Sequence, residues 1–469
     1  MSGLYGTLQL GQRAVQTQRQ GIELAGNNIA NVDNPAFARQ RLDVATGPTI
    51  ITADGIQSTG VTTEQVSQIR NKILDTNIQH ENSLTSYLET KNELLEQSRT
   101  KLGPTFLADL SSNTADKVSG LSAHLNDLFD GFQELANNPT SRTQRIGLIN
   151  QAETLSQDFN RIDQRLNEVQ GQIDRELENS VGETNDLLNQ IARLNQSIEH
   201  AENRSNGPAN DLRDRRTAKL EELSKLTKFQ STESENGVLS LHLEGETMLE
   251  GAQVVGLFQL APDQNGNQQA VLNINNVQRP VTQGRLGALV AVKNETLLPL
   301  SNRLDQLASQ IITEINQIHR GGFDLNGDTG EDFFVGKSAA TIAVNQTLID
   351  DPDQIQASSE KDGVGNNTIL RAMNQLAQNQ NENLNGLTFD EHFTESVVAF
   401  TRELVDVKNQ LEDQTAIQDL LVRQRNAVSG VSLDEEMTNL VKYQNAFEAS
   451  ARFISVIDEM LETVVNLGR

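Results

Sequence analysis

Hydrophobic positions recur most regularly at the two ends of the chain. Near the start, Leu4, Leu8, Gly11, Val15, Gln18, Ile22, Ala25 and Ile29 alternate at spacings of four and three, which lays them on one stripe of a helix. The stripe stops at Asn31, Val32, Asp33 and Asn34, because Pro35 pushes the residue before it out of the α region. Near the end, Leu433, Met437, Leu440, Gln444, Phe447, Ala451, Ile454, Asp458, Leu461 and Val465 repeat the pattern after a break at Gly430. Ser432 with Glu435 offers that helix a capping box. Neither helix is stable in water with its seam uncovered, since helices in proteins draw most of their stability from packing. A bundle within one chain and pairing with neighbouring copies both meet that need, and spacing alone does not choose between them.

Between the ends the same period predicts helices at 64–102 and 115–137 and a long one at about 152–204. There Leu155, Phe159, Ile162, Leu166, Val169 and Ile173 hold a heptad phase that slips near Leu177, Val181 and Gly182. A shorter helix follows at 211–226. The period then falls to two: Leu239, Leu241 and Leu243 alternate with polar residues, and similar runs at 254–260, 271–277 and 286–292 are separated by turn-rich segments. Helix returns at 295–319, 367–380 and 388–428, the last carrying Phe393, Val397, Phe400, Leu404, Val407 and Leu411 in heptad register. The expected fold is mainly α with a small β subdomain, elongated, with nested discontinuous domains. Residues 1–60 and 431–469 form a terminal helical domain of paired N- and C-terminal helices. Residues 61–235, 285–335 and 367–430 form a bundle with long coiled-coil-like helices, 236–284 the β subdomain, and 336–366 a short irregular outer segment.

Composition narrows the function. Of 469 residues 4% are aromatic and none is Trp, which favours thin aliphatic cores. The formal charge of -26 repels nucleic acid and anionic lipid, so neither is expected as a partner. Residues 1–60 are formally neutral, with Arg13, Arg19, Arg39 and Arg41 against Glu23, Asp33, Asp43 and Asp54, which suits close packing against copies of the chain. The absence of cysteine removes thiolate chemistry and disulfides together. No cleavable signal pattern opens the sequence and no apolar run reaches membrane-spanning length, so membrane insertion is not expected.

Candidate chemistry falls away on inspection. In GEDFFVGKS, Gly336, Lys337 and Ser338 imitate a phosphate loop, but Glu331 occupies the position of its first glycine. In DLNGDTGED, Asp324, Asn326 and Asp328 suggest a calcium loop, yet Thr329 and Val335 replace its required glycine and glutamate, so an Asx-rich turn is the reading. The six histidines are scattered outside any metal-binding spacing. The expectation is a protein without catalytic, metal or cofactor sites.

A resemblance decides what spacing leaves open. The run LAGNNIANVDNPAFARQR resembles the signature of flagellar axial proteins, carried here by Asn27, Asn28, Asn31, Asn34, Pro35, Phe37 and Arg39. Ala36 and Ala38 stand where that pattern has glycine and a small hydroxyl residue. The run SGVSLDEEMTNLVKYQNAFEASARFISVIDEMLETVVNL is similar to the end of the flagellar hook-associated protein 1 family, the hook–filament junction proteins. The internal runs NDLRDRRTAKLEELSKL and the long segment from Gly284 to Phe334 add to it, and they separate this family from rod, hook and flagellin proteins.

The resemblance implies a ring of identical subunits between hook and filament, with an assembly interface on Leu4, Leu8, Val15, Ile22, Ile29, Leu433, Met437, Leu440, Phe447, Ala451, Ile454 and Leu461. It implies contacts with the hook protein and the second junction protein, and an export chaperone on the C-terminal helix. It also implies an extracellular place in the flagellum, reached through the flagellar secretion apparatus without a cleaved signal, and a reduced outer domain. The alternatives are another flagellar axial protein, such as the second junction protein, or a secreted coiled-coil effector or adhesin.

Overall fold

The longest apolar stripes of the sequence are helices in the computed structural model, which describes residues 2–52, 55–103, 120–204, 207–234 and 237–467. Helix α1 (Ser2–Ala30) leads into strands β1 (Gln40–Thr46), β2 (Thr49–Thr52), β3 (Gly55–Ser58) and β4 (Val61–Gln68), with β1 paired antiparallel to β4 and β2 to β3. Helices α2 (Lys72–Leu102), α3 (Leu121–Asn137), α4 (Arg142–Glu202) and α5 (Asn210–Leu226) follow. Strands β5 (Gln230–Glu233), β6 (Leu239–Leu243), β7 (Glu246–Glu250) and β8 (Gln253–Val254) make one antiparallel sheet in chain order. Strands β9 (Leu257–Pro262), β10 (Gln268–Ile274) and β11 (Val277–Pro280) make another. Helix α6 (Gly284–Ala291) passes through a π turn at Val292–Leu297 into α7 (Leu298–His319). The chain closes with β12 (Phe334–Val335), β13 (Ala343–Val344), α8 (Gln346–Asp350), α9 (Thr368–Gln375), α10 (Phe389–Ser429) and α11 (Leu433–Leu467).

The molecule is mainly helical with small sheets, and it is elongated. The 61 residues of α4 span about 90 Å at 1.5 Å per residue, whereas a compact chain of this length is a body roughly 60 Å across. Its heptad line from Leu155 to Ile173 is buried throughout, and after the slip at Val181 two asparagines dock the sheets. Asn185 exchanges hydrogen bonds with the backbone of Phe258, and the Asn195 amide donates to the carbonyls of Leu239 and Gly251. Helix α10 buries Phe393, Val397, Phe400, Leu404 and Val407, then runs on along α2 toward the terminal helices.

Several sequence expectations change. Residues 61–68, part of which was expected to open a helix, are β4, whose pairing with β1 carries the ribbon across the expected boundary at residue 60. The expected strand at 286–292 is helical, because Gly284 at φ +72° turns the chain tightly against Leu226 and starts α6 there. The expected irregular outer segment folds back into the body: Ala339, Ile342, Val344, Leu348, Ile355 and Ala357 are all buried. The start of the helix expected at 115–137 lies outside the described residues; its remainder is α3.

Candidate assembly site at the paired chain ends

Helices α1 and α11 lie against each other and run antiparallel. A side chain added at Gly11 would meet Ile454 at 2.7 Å, and one added at Gly21 would meet the Tyr443 ring at 2.7 Å, so ascending positions on one helix meet descending positions on the other. The glycines let the two backbones approach closely. On α1 the most buried positions are Gly11, Thr17, Gly21, Leu24, Ala25 and Asn28, a line that runs largely one residue ahead of the hydrophobic stripe. Leu4, Leu8, Val15, Ile22 and Ile29 are half-buried beside it. On α11, Leu440, Phe447, Ala451, Ile454 and Leu461 are half-buried in the seam with Tyr443, while Ile457 and Glu436 are buried.

Leu433 and Met437 fall outside that seam, 48% and 52% exposed. At 100° per residue they share one flank of α11 with Val441, while Phe453, Val456, Met460 and Val464 line the opposite flank. All seven are at least 40% exposed. A two-helix pair covers one face of each helix, so both flanks stay open to a further partner.

The Asn-rich signature forms the base of the pair. Asn31 caps back onto Asn27, and Asn34 accepts from the Ala36 backbone N–H while its carbonyl accepts from Phe37 N–H, closing the turn around the exposed Pro35. The half-buried Phe37 follows, and Ala36 and Ala38 fit this turn without a positive φ. Asn28, 1% exposed, donates to the Gln40 carbonyl and to Glu436 Oε2, and its Oδ1 accepts from Gln40 N–H. Arg39 donates to Glu436 Oε1 at 2.9 and 2.7 Å and to Glu435 Oε2 at 2.6 Å. Burial pulls the Arg39 guanidinium down, but the two glutamates outweigh it and hold its pKa above the ordinary value.

A second polar layer ties this base to the helical body. Arg70 donates to the Ala36 carbonyl, to Asp214 of α5 and to Asp75 of α2, and Arg425 of α10 pairs with Glu221 of α5 at 2.6 Å. Burial pushes the carboxyls of Asp75, Glu221 and Asp214 upward against the pull of these arginines, Asp214 to about 6. Between the signature turn and the body lies a cavity of about 340 Å³ lined by Pro35, Phe37, Arg70, Glu221, Arg425 and Ser429. Sequence reasoning missed Gly21, Tyr443, Ile457 and Glu436: glycine carries no hydropathy, and a lone glutamate in a chain this acidic reads as solvated.

Elsewhere the candidate chemistry is occupied by structure. The backbone N–H groups of Lys337 and Ser338 both donate to Thr341 Oγ1, which takes the donors a phosphate would need. Asp324 Oδ1 accepts from Asn326 and Asp328 N–H, an Asx turn. Among the described residues, no group of three or more acidic or histidine side chains is placed to hold a metal ion. No described helix is long and apolar enough to cross a membrane.

Comparison with known proteins places these features in one context. Residues 107–334 match the family described as the flagellar hook-associated protein FlgK helical domain, and residues 423–467 match the flagellar basal body rod FlgEFG protein C-terminal family. Flagellar hook-associated protein 1 of Bacillus subtilis is 25% identical, with 99% of each chain covered. The protein of that name from Escherichia coli is 22% identical over the whole of both chains. A solved flagellar hook junction protein from Burkholderia pseudomallei aligns with 55% of this chain and 46% of its own, at 24% identity and a TM-score of 0.47.

Proposed function

Because the chain belongs to the flagellar hook-associated protein 1 family, we infer that it is a structural axial protein of the bacterial flagellum, standing at the junction of hook and filament. The rod-type match covers only residues 423–467, while the helical-domain match takes in α3 to α7 and the two sheets between them and favours the hook-associated reading over other axial proteins. The role is structural, and no catalytic step is assigned to it.

The observation that carries the mechanism is the pair of open flanks on α11. Covering a Leu- or Phe-sized side chain stabilises by roughly 1.5–3 kcal/mol, and residues already half covered contribute about half of that. Seven such residues on two flanks supply enough to hold identical subunits in a ring, each terminal pair seated against the next. Leu4, Leu8, Val15, Ile22 and Ile29 border the same surface from α1, so the assembly interface comprises the half-buried stripes together with the exposed Leu433 and Met437. The hook protein and the second junction protein are then its axial neighbours. An export chaperone on the C-terminal helix would cover the same apolar flanks before assembly, and export through the flagellar apparatus requires no cleaved signal.

The test is a charge placed on a flank rather than in the seam. Met437→Asp or Met460→Asp leaves the α1–α11 seam intact. Cells carrying either variant are expected to show bare hooks by electron microscopy and flagellin lost to the medium. Filaments of normal length and number would overturn the interface.

A further inference from the structure

We propose that Met437 and Met460 are oxidation sites that gate assembly: peroxide converts their thioethers to sulfoxides and bars the subunit from seating against its neighbours. The chain contains neither cysteine nor tryptophan, so methionine sulfur is the side-chain group that peroxide attacks first. Among the described residues Met248 and Met373 are fully buried, whereas Met437 and Met460 are 52% and 50% exposed. Attack requires access to the sulfur, so oxidation is directed to α11. A chain end not yet seated on a neighbour leaves both sulfurs open to solvent whether or not it is paired with α1.

Placement turns this local change into a failure of the interface. Each thioether is the middle member of an apolar trio spaced at i−4, i and i+4 along one flank of α11: Leu433, Met437 and Val441 on one side, Val456, Met460 and Val464 on the other. In the reaction a sulfur lone pair forms the new S–O bond as the O–O bond of hydrogen peroxide breaks; sulfur is oxidised by two electrons, and the peroxide is reduced and leaves as water. The product carries a strong hydrogen-bond acceptor at the centre of a patch whose other members have no donor in their side chains. In a free subunit water solvates that oxygen. Once a neighbour covers the trio, the oxygen is cut off from water and left unpaired, which is the condition that makes a buried polar group destabilising. With a methionine centred on each flank, oxidation strikes the contacts on both sides of the subunit. The same cover shields the sulfurs after incorporation, so the effect falls on subunits that are still waiting to seat.

This inference rests on the reading of both α11 flanks as subunit contacts, and the experiment separates the two. The purified full-length chain is partially oxidised with hydrogen peroxide, quenched, and offered to cells that lack the protein and carry bare hooks. Subunits seated on hooks and subunits left in solution are then compared by peptide mass spectrometry, methionine by methionine. Sulfoxide at Met437 and at Met460 is expected to be about five-fold or more scarcer in the seated fraction, because an unpaired acceptor cannot be buried without loss. Met248 and Met373 are expected to stay unoxidised in both fractions, and treating the unseated fraction with methionine sulfoxide reductases is expected to restore seating. Equal sulfoxide content at Met437 and Met460 in the two fractions overturns the proposal. Oxidation of Met248 or Met373 as fast as the flank sites does so too, as does depletion confined to Met1, which lies outside the described residues. If oxidised subunits seat normally while Met437→Asp and Met460→Asp subunits do not, the interface stands and oxidation does not gate it; if all of them seat, the interface reading fails as well.

Discussion

Acidification should weaken the helical body through one imidazole. His319, at the end of α7, is fully buried with its ring edge-on to Phe333 at 5.5 Å between centroids. Its Nε2 accepts from Gln356 N–H at 3.0 Å, so the proton lies on Nδ1, which donates to the Glu331 carbonyl at 2.8 Å. A second proton would face a donor. Burial, with a smaller push from Arg145, lowers the pKa from 6.5 to about 4. Between those values the unfolded chain takes up a proton that the folded chain refuses, so stability is fully present above pH 6.5 and falls as the pH drops toward 4. At 1.36 kcal/mol per unit, the loss is about 3 kcal/mol. His319→Gln removes the titration and can still donate at one end and accept at the other. Urea unfolding of the body, followed from pH 7 to pH 4 in both proteins, should show the parent losing about 3 kcal/mol more than the variant. Parallel curves would show that the imidazole is protonated in the fold, and the hydrogen-bond assignment would be wrong.

Two further perturbations probe the body and the terminal pair. Arg145, fully buried, donates to the carbonyls of Pro139, Pro352 and Ile355, so Arg145→Met should leave them unpaired. The expected loss is about 3–5 kcal/mol in chemical denaturation, with hydrogen-exchange protection vanishing first around 345–358, and Arg145→Lys should recover little because it lacks the planar fork. Gly21→Leu drives a side chain into the Tyr443 ring and should raise hydrogen exchange in α1 and α11 by about 1–3 kcal/mol of lost protection while the body is unchanged. Gly26→Ala, with nothing within 4 Å, serves as its control and should be neutral or slightly stabilising.

What the sequence disclosed follows from what each element packs with. The heptad lines of α4 and α10 are legible because large aliphatic and aromatic side chains do the packing, and Leu155 to Ile173 and Phe393 to Val407 are buried as their spacing requires. In α1 the buried line includes Thr17, Gly21 and Asn28, residues that no hydrophobic pattern weights, so of the stripe read from sequence only Gly11 and Ala25 lie in the buried seam and Leu8, Val15 and Ile22 flank it. The β1–β4 ribbon is invisible for a related reason: its strands contain few large apolar residues and are mostly half-exposed. Gly284 and its left-handed φ turn a run that reads equally as strand or helix into the start of α6.

The remaining gap concerns Glu436, and it explains why the ends are the easiest part of the chain to notice and the hardest to place. Apolar periodicity reports that a helix has a covered face without reporting the partner or the alignment. That information sits in long-range contacts such as Gly21 against Tyr443 and Arg39 with Glu436, the latter pair 397 residues apart in a chain with 64 acidic side chains. Nothing in the linear order distinguishes this glutamate from its neighbours Asp434 and Glu435. Only the folded body does so, by fixing the Arg39 backbone against Ser429 and Ile69 before α11 begins. The body is closed by buried ion pairs within the chain, whereas the terminal pair is closed on one face and open on two flanks. On the proposed assembly, in which the open flanks of the terminal pair meet neighbouring subunits, Asn28 and Arg39 tie that pair to the body at the point where both terminal helices leave it.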